Sequence, residues 1–155
     1  MTSKRLTASE MRAWRAYAET TDHLHAALEA DLTPHGLSLG DYQVLVILSE
    51  AADGALRMCD LSEQLGLSPS GLTRRLDGLV KLGYVLRSQC SSDRRVMFAS
   101  ITPTGLKALE SAVTDHVLSV RRHLIDQLTP EQVVTLGDIF ITVGTGLGRQ
   151  PSTAS

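Results

Sequence analysis

The chain has 155 residues, of which 43% are hydrophobic, 4% aromatic and 21% charged, and its formal net charge is −2. This length suits one domain with a core of aliphatic side chains, or one compact domain with added helices for pairing. The N-terminal sequence MTSKRLTASE lacks the apolar run of a secretion signal, and no stretch approaches the roughly 18 apolar residues of a membrane span, so we expect a cytoplasmic protein without membrane contact.

The first predicted helix runs from about Ala8 to Leu32. Thr7 or Ser9 is its candidate N-cap, and Pro34 and Gly36 favour its end because proline disfavours helix in the preceding residue. Side chains that recur at three- and four-residue intervals share one face of this helix: Trp14, Tyr17, Thr21, Leu24, Leu28 and Leu32.

A second helix is predicted after Ser38, and the run VLVIL at its centre predicts burial on nearly all sides. Asp53-Gly54 is typical of a turn, and Ala55 to Met58 is a candidate short strand. Asp60 is then the expected cap of a short helix with the sequence LSEQLG.

Gly66 stands where a helix end needs a left-handed residue, and Ser68-Pro69 predicts the start of the next helix as N-cap and first helical position. Gly83 is expected to close this helix. Its inward side chains are predicted to be Leu72, Leu76 and Leu79, and its outward residues Pro69, Ser70, Thr73, Arg74, Asp77 and Lys81.

Two strands, YVLRSQ and VMFASI, are predicted next, joined by the polar segment CSSDRR. Thr102-Pro103 opens a long helix expected from about Thr104 to Leu128, and Thr129-Pro130 starts the last helix. Each of these two helices carries an apolar stripe, with Leu106, Leu109, Val113, Val117, Val120 and Leu124 on the first and Val133, Leu136, Ile139, Phe140, Val143 and Leu147 on the second.

Charge is distributed unevenly along the chain. The segment from Ser68 to Arg95 has six basic and two acidic residues, whereas the remainder has nine basic and fifteen acidic ones. Because charges separated by more than roughly 8 Å are screened at physiological salt, the positive segment can attract phosphates despite the negative total. A polar, basic helix of this kind fits the DNA major groove, and a basic hairpin beside it can reach the minor groove.

The chain resembles the MarR (multiple antibiotic resistance regulator) family of bacterial winged-helix repressors. The resemblance is carried by LSEQLGLSPSGLTRRLDGLVKLGYVLR, by the sequence Asp93-Arg94-Arg95 in the predicted wing, and by ITPTG at the start of the long helix. It covers essentially the whole chain. It implies a mainly α fold with a small two- or three-stranded β-wing, a winged helix-turn-helix, and a homodimer that binds an operator in double-stranded DNA.

The resemblance also implies a domain organisation. Residues 1–35 and 104–148 are expected to form a helical dimerisation region and residues 36–103 the DNA-binding domain. Residues 149–155 are expected to form a flexible tail because they are too polar and small to pack. The expected function is that of a ligand-responsive repressor that binds an inverted-repeat operator.

Physical chemistry and the resemblance together suggest roles for the candidate DNA-binding residues. Ser68 and Ser70 lie where a helix N-terminus favours phosphate. Thr73 and Arg74 could reach base edges, and Arg75 is a candidate backbone contact. The predicted wing adds three further candidates, with Asp93 holding the tip and Arg94 or Arg95 entering the minor groove.

An effector site is the second expectation. The family implies a pocket where the dimerisation helices meet the DNA-binding lobe, and aromatic residues with polar tips suit a phenolic ligand. Arg15 could anchor an anionic one. The candidates for the lining are Trp14, Arg15, Tyr17, Thr21 and Tyr42, and core packing or dimer contact is the alternative for the aromatic ones.

Other functions have weaker support in the sequence. An oxidant-sensing regulator would use Cys90, whose pKa nearby arginines could lower, or Cys59, which the sequence predicts to be a small buried residue. A zinc site is disfavoured because His116 and His123 read as surface residues, and no catalytic residue, metal or cofactor is expected, since enzyme motifs are absent. A winged helix that binds only protein remains the competing class.

Overall fold

The computed structural model describes residues 5–149, so the expected tail of residues 149–155 lies, apart from Arg149, outside the described residues. The described part is mainly helical with one antiparallel sheet in the order β1-β3-β2, which confirms the expected fold class. The helices are α1 (Ala8–Leu32), α2 (Leu39–Glu50), α3 (Met58–Leu65), α4 (Pro69–Lys81), α5 (Pro103–His123) and α6 (Pro130–Gly146), and the strands are β1 (Ala55–Arg57), β2 (Val85–Gln89) and β3 (Met97–Ile101).

Hydroxyl residues cap most of the helices at the positions that the sequence predicts. Thr7 forms a capping box with Glu10, in which the Thr7 backbone N–H donates to the Glu10 carboxylate over 2.7 Å. This bond lowers the pKa of Glu10. Ser68, Thr102 and Thr129 cap α4, α5 and α6, and a proline follows each of them, where its missing N–H costs nothing.

The core lies where α2, α3 and α4 pack against the sheet and α5. Gly66 adopts a left-handed conformation (φ +63°) that ends α3 and lets α4 turn across it. The side chains with no more than 1% exposure include Leu45, Leu48, Leu61, Leu72, Leu76, Leu79 and Val85. Burial of the three α4 leucines fixes the orientation of this helix, because turning α4 about its axis would expose their apolar side chains to water.

Two element boundaries differ from the sequence expectation. Strand β1 ends at Arg57 and α3 begins at Met58, so Asp60 lies in the first turn of α3 and is not its cap. The helix dipole favours a carboxylate in the first turn. In the sequence, an Asp in the first turn therefore looks the same as an Asp at the N-cap. Helix α5 ends at His123 because Leu124 leaves helical geometry (φ −132°, ψ −65°), and a short 3-10 turn precedes the extended Leu128.

Polar contacts join the end of α1 to α5. The Asp31 carboxylate accepts hydrogen bonds from the buried Ser119 hydroxyl and from Arg122, both over 2.6 Å, and lies 3.1 Å from Nε2 of His123. The Ser119 bond is the largest cause that lowers the pKa of Asp31 to about 2, and Arg122 adds to it. The His123 side chain is 31% exposed and is paired with Asp31, so it is a partly exposed histidine and not a free one.

Helix α6 has no buried residue within this single chain. Its apolar stripe is exposed together with parts of α1 and α5, and the large exposed side chains include Trp14, Tyr17, Val113, Val117, Leu118, Ile139, Phe140 and Val143. Within residues 5–149, none of the helices has both the length and the apolar composition needed to cross a membrane.

Candidate nucleic-acid interface

The N-terminus of α4 presents two serine hydroxyls to solvent. The Ser68 hydroxyl accepts the Gly71 N–H over 3.1 Å and lies 3.3 Å from the Ser70 hydroxyl. One of these two hydroxyls donates to the other, so one hydroxyl hydrogen stays available for a phosphate oxygen. The positive end of the helix dipole strengthens attraction of an anion to this position.

Thr73 and Arg74 follow on the exposed face of α4. The Thr73 hydroxyl donates to the Pro69 carbonyl over 3.0 Å, so its oxygen can only accept from a base, and its methyl group can contact one. Arg74 is exposed, and its guanidinium has no hydrogen-bond or ion-pair partner within residues 5–149. An uncommitted guanidinium of this kind can donate two parallel hydrogen bonds to guanine.

Arg75 points in a different direction from its neighbour. Its guanidinium lies against the first turn of α2, where a Cβ built on Gly40 would come within 1.0 Å of Nη1 of Arg75. The missing side chain of Gly40 therefore makes the room that Arg75 occupies. The structure places Arg75 in a half-buried position beside α2, apart from the exposed Thr73 and Arg74.

The tip of the wing is closed by Asp93. Its carboxylate accepts the Arg95 N–H over 3.0 Å, its carbonyl accepts the Val96 N–H over 3.0 Å, and the Cys90 N–H donates to the Val96 carbonyl over 2.8 Å. This geometry fits the holding role that the resemblance implies for Asp93. Arg94 and Arg95 are both exposed at the tip, and Arg95 also lines an open groove of about 560 Å³ between α3, α4 and β3.

Arg87, one of the six basic residues between Ser68 and Arg95, forms an ion pair. It bonds to the Asp77 carboxylate, and its Nη2 also donates to the Thr73 carbonyl over 3.3 Å. The pairing joins residues ten positions apart on different elements, and no local sequence signal marks it. Among residues 5–149, the exposed cations of α4 and the wing tip that have no hydrogen-bond or ion-pair partner are Arg74, Lys81, Arg94 and Arg95.

The candidates for an effector site separate into two groups. Trp14 and Tyr17 have ring centres 6.0 Å apart, Tyr17 lies 6.0 Å from Phe140 of α6, and the Thr21 hydroxyl donates to the Tyr17 carbonyl. Arg15 is exposed on the same helix. Tyr42 is instead buried in the core, where its ring lies 4.2 Å from that of His116.

Burial has opposite effects on the two titrating rings of the Tyr42 pair. It raises the pKa of Tyr42 and lowers the pKa of His116, because both charged forms lose hydration. The Nδ1 atom of His116 is buried and has no hydrogen-bond partner in the described part of the chain. The expectation that His116 is a surface residue is therefore wrong.

The two cysteines differ from their expected surroundings. Cys59 is exposed, with its sulfur 3.5 Å from the Asp60 carboxylate, so the expectation of a small buried residue is wrong. The pKa of Cys90 is lowered by the Ser92 hydroxyl, 3.1 Å from its sulfur, and by backbone N–H groups of Ser92 and Asp93. These groups, and not the arginines that the sequence suggested, stabilise the thiolate.

Comparison with known proteins gives one family. The MarR family model matches residues 37–97. The chain is 38% identical to AbsC, a MarR family transcriptional regulator from Streptomyces coelicolor, with a TM-score of 0.88 over 96% of this chain and 100% of AbsC. It is 37% identical to Sco3205 from the same organism, crystallised in complex with DNA, with a TM-score of 0.89 over 99% and 96% of the two chains. The HTH-type transcriptional repressor YetL of Bacillus subtilis is 28% identical over 120 residues, which are 76% of this chain and 72% of YetL.

Proposed function

Because the chain belongs to the MarR family of transcriptional regulators, we propose that it represses transcription by binding an inverted-repeat operator in double-stranded DNA as a homodimer. The carrying observation is the set of exposed, uncommitted guanidinium groups of Arg74, Arg94 and Arg95 on α4 and the wing. A relative with 37% identity over nearly the whole chain was crystallised with DNA, which supports the same ligand here. A regulator of chromosomal DNA acts in the cytoplasm.

In this proposal α4 lies in the major groove, which is about 12 Å wide and admits a helix. Arg74 reads guanine, and the Thr73 methyl contacts a thymine methyl. Ser68 and Ser70 hold a phosphate at the start of the helix, and Asp93 keeps Arg94 and Arg95 directed at the minor groove, where narrow A·T-rich DNA has the stronger negative potential. Arg75 supports α4 from the side of α2.

The homodimer is formed by the terminal helices in this proposal. Residues 1–35 and 104–148 make the dimerisation region, and residues 36–103 make the DNA-binding domain. The support is the apolar stripe of α6, where Ile139 and Phe140 are 51% and 48% exposed in the single chain. Exposed apolar area of this extent is typical of a protein interface. Two copies of α4 would then enter successive major grooves, roughly 34–36 Å apart.

The regulatory part of the proposal is a phenolic or anionic effector that binds near Trp14, Arg15, Tyr17 and Thr21. These residues lie on α1, which belongs to the proposed dimerisation region, so occupancy could change the separation of the two α4 helices. Tyr42 lies outside this site, because it is buried in the core with its ring 4.2 Å from that of His116. Trp14 is the single tryptophan of the chain, so salicylate used as a probe should quench its fluorescence saturably and weaken DNA binding in parallel.

A salt titration tests the DNA-binding proposal against a winged helix that binds only protein. The probe is a 30-bp inverted-repeat duplex that the protein selects from a randomised pool. Affinity should fall steeply with salt, because each phosphate contact contributes a log–log slope of about −0.9. Failure to select any duplex, or an affinity indifferent to salt, would reject the proposal and favour a protein partner.

A further inference from the structure

A side chain of the wing reaches across to the helix proposed for base reading. Arg87 lies in β2, opposite Ala99 of β3, so its backbone belongs to the sheet that extends into the wing. Its guanidinium bonds to the Asp77 carboxylate of α4 and donates to the Thr73 carbonyl of the same helix over 3.3 Å. One guanidinium therefore holds two points of α4 that lie one turn apart.

Arg87 is more buried than the arginines of the wing tip, and its charge is paired with Asp77. Its side chain is 27% exposed, and its Nε atom is buried without a partner within the described residues. The Asp77 carboxylate is 60% exposed on the basic surface. A carboxylate in that place weakens phosphate attraction, and it also keeps Arg87 from turning outward to a phosphate.

We propose that Arg87 and Asp77 form a positioning clamp that fixes the wing at one distance from α4, which makes Asp77 a specificity-determining residue. The inference rests on the proposed DNA binding of the preceding subsection. Neither residue needs to touch a base. Arg87 sets where the wing arginines lie relative to Arg74, and Asp77 holds Arg87 in that position.

Specificity depends on the distance between α4 and the wing, because both elements must contact the same duplex at the same time. Arg74 meets a base edge in the major groove only when Arg94 and Arg95 reach the adjacent minor groove. A wing released from α4 could place its arginines against phosphates on any sequence, and a released Arg87 would add a further phosphate contact. Loss of the clamp should therefore strengthen non-specific binding while it weakens discrimination.

The experiment compares Asp77→Asn, Arg87→Gln and the control Glu63→Gln in the full-length protein. Glu63 is an exposed residue of α3 that lines the groove with Thr73 and Arg95 but has no hydrogen bond or ion pair to Arg87 or Asp77. Its substitution changes net charge as Asp77→Asn does, so it controls for the loss of one negative charge beside this surface. The probes are the selected 30-bp duplex and a scrambled duplex of the same length. Binding is measured over a range of salt concentrations, with folded fractions matched by circular dichroism.

Asp77→Asn should bind the scrambled duplex more tightly, steepen the salt slope by about 0.9 per subunit, and reduce the preference for the selected duplex roughly tenfold, the effect of one mismatched base pair. Arg87→Gln should lose a similar part of the preference with an unchanged salt slope, because Arg87 contacts no phosphate in the wild type. Glu63→Gln should keep the wild-type preference. These three results together support the clamp.

Other results overturn it. A salt slope that becomes shallower by about 0.9 per subunit in Arg87→Gln would show that Arg87 contacts phosphate. A preference in Asp77→Asn equal to that of Glu63→Gln would remove Asp77 from specificity, and this comparison decides the question if Arg87→Gln fails to fold. A wild-type protein that selects no duplex rejects the proposed function and this inference together, whereas a selective wild type with an equally selective Asp77→Asn rejects the clamp alone.

Discussion

Helices α4 and α6 carry apolar stripes of similar spacing, but the two stripes lie in different surroundings. On α4, Leu76 and Leu79 have no exposed surface, whereas on α6, Phe140 and Val143 are 48% and 50% exposed. The periodicity of a helix shows which side chains share a face and not what covers that face. The stripe of α4 is thus covered within one chain, whereas the stripe of α6 is left exposed in it.

The largest effect that tests this contrast is removal of most of α6. Truncation before Leu136 should give a monomer or an unfolded chain, because the proposed dimer loses the stripe that closes it. Light scattering after size exclusion and circular dichroism separate these two results. A truncated protein that remains a stable dimer would show that α6 does not form the interface.

Leu76→Ala probes the buried stripe and should cost about 2–5 kcal/mol of unfolding free energy, as expected for a cavity in a close-packed core. On α6, Phe140→Ala should lower the free energy of unfolding by an amount that depends on protein concentration. The reason is that association of two copies follows mass action. Denaturant unfolding at two protein concentrations measures both variants. A concentration-independent cost for Phe140→Ala would place its contacts within one chain.

Arg74→Ala tests base reading on the exposed side of α4. It should reduce discrimination between the selected and scrambled duplexes by roughly 1–3 kcal/mol, the energy of a bidentate contact to guanine. Lys81→Ala, at an exposed position on the same helix, is the matched control and should weaken both duplexes alike. Equal weakening by Arg74→Ala would show that Arg74 contacts only phosphate.

The wing should contribute less to discrimination and more to salt dependence. Arg94→Ala combined with Arg95→Ala should lower affinity and make the salt slope shallower by up to about 1.8 per subunit, because each phosphate contact contributes about 0.9. Binding isotherms at several salt concentrations measure the change. Unchanged affinity and slope would remove the wing tip from the interface.

The smallest expected effect concerns His116 in the core contact between α2 and α5. Burial lowers its pKa below the ordinary 6.5, so the folded protein favours the neutral ring, and stability should be lost as pH falls through that value. His116→Phe keeps a ring beside Tyr42 and should flatten the loss of stability between about pH 7.5 and 5.5. Urea unfolding at both pH values gives the comparison, and an unaltered pH dependence would assign it to other groups.

Local signals predicted most of the fold. Ser68-Pro69 begins α4 and Gly66 ends α3 as expected, because capping depends on residues within one turn. Cys59 shows the limit of this reasoning. Its apolar neighbours suggested burial, but helix α3 turns it to solvent while Leu61 points to the core.

The contacts that the sequence did not predict join distant positions. Ser119 and Arg122 meet Asp31 across 88 and 91 residues. Arg75 takes its position from Gly40, and Arg87 of β2 takes its partner from α4, the element directly before it. These pairings depend on how whole helices pack, and the sequence offers many equally plausible partners for each charge. The residues of the candidate surface were therefore predictable from the sequence. Which of its arginines are exposed without a partner, and which are paired or packed within the described residues, required the structure.

Gly105, in the first turn of α5, lets this helix pack directly against the backbone of Tyr84, just before β2. A Cβ built on it would lie 2.3 Å from the Tyr84 carbonyl oxygen, and the Thr102 hydroxyl fastens the same joint by donating to the Gly83 carbonyl over 2.6 Å. A contact between two backbone segments cannot adjust by a change of side-chain rotamer. A tilt of α5 would therefore have to move the backbone at Gly83 and Tyr84, which lead directly into β2.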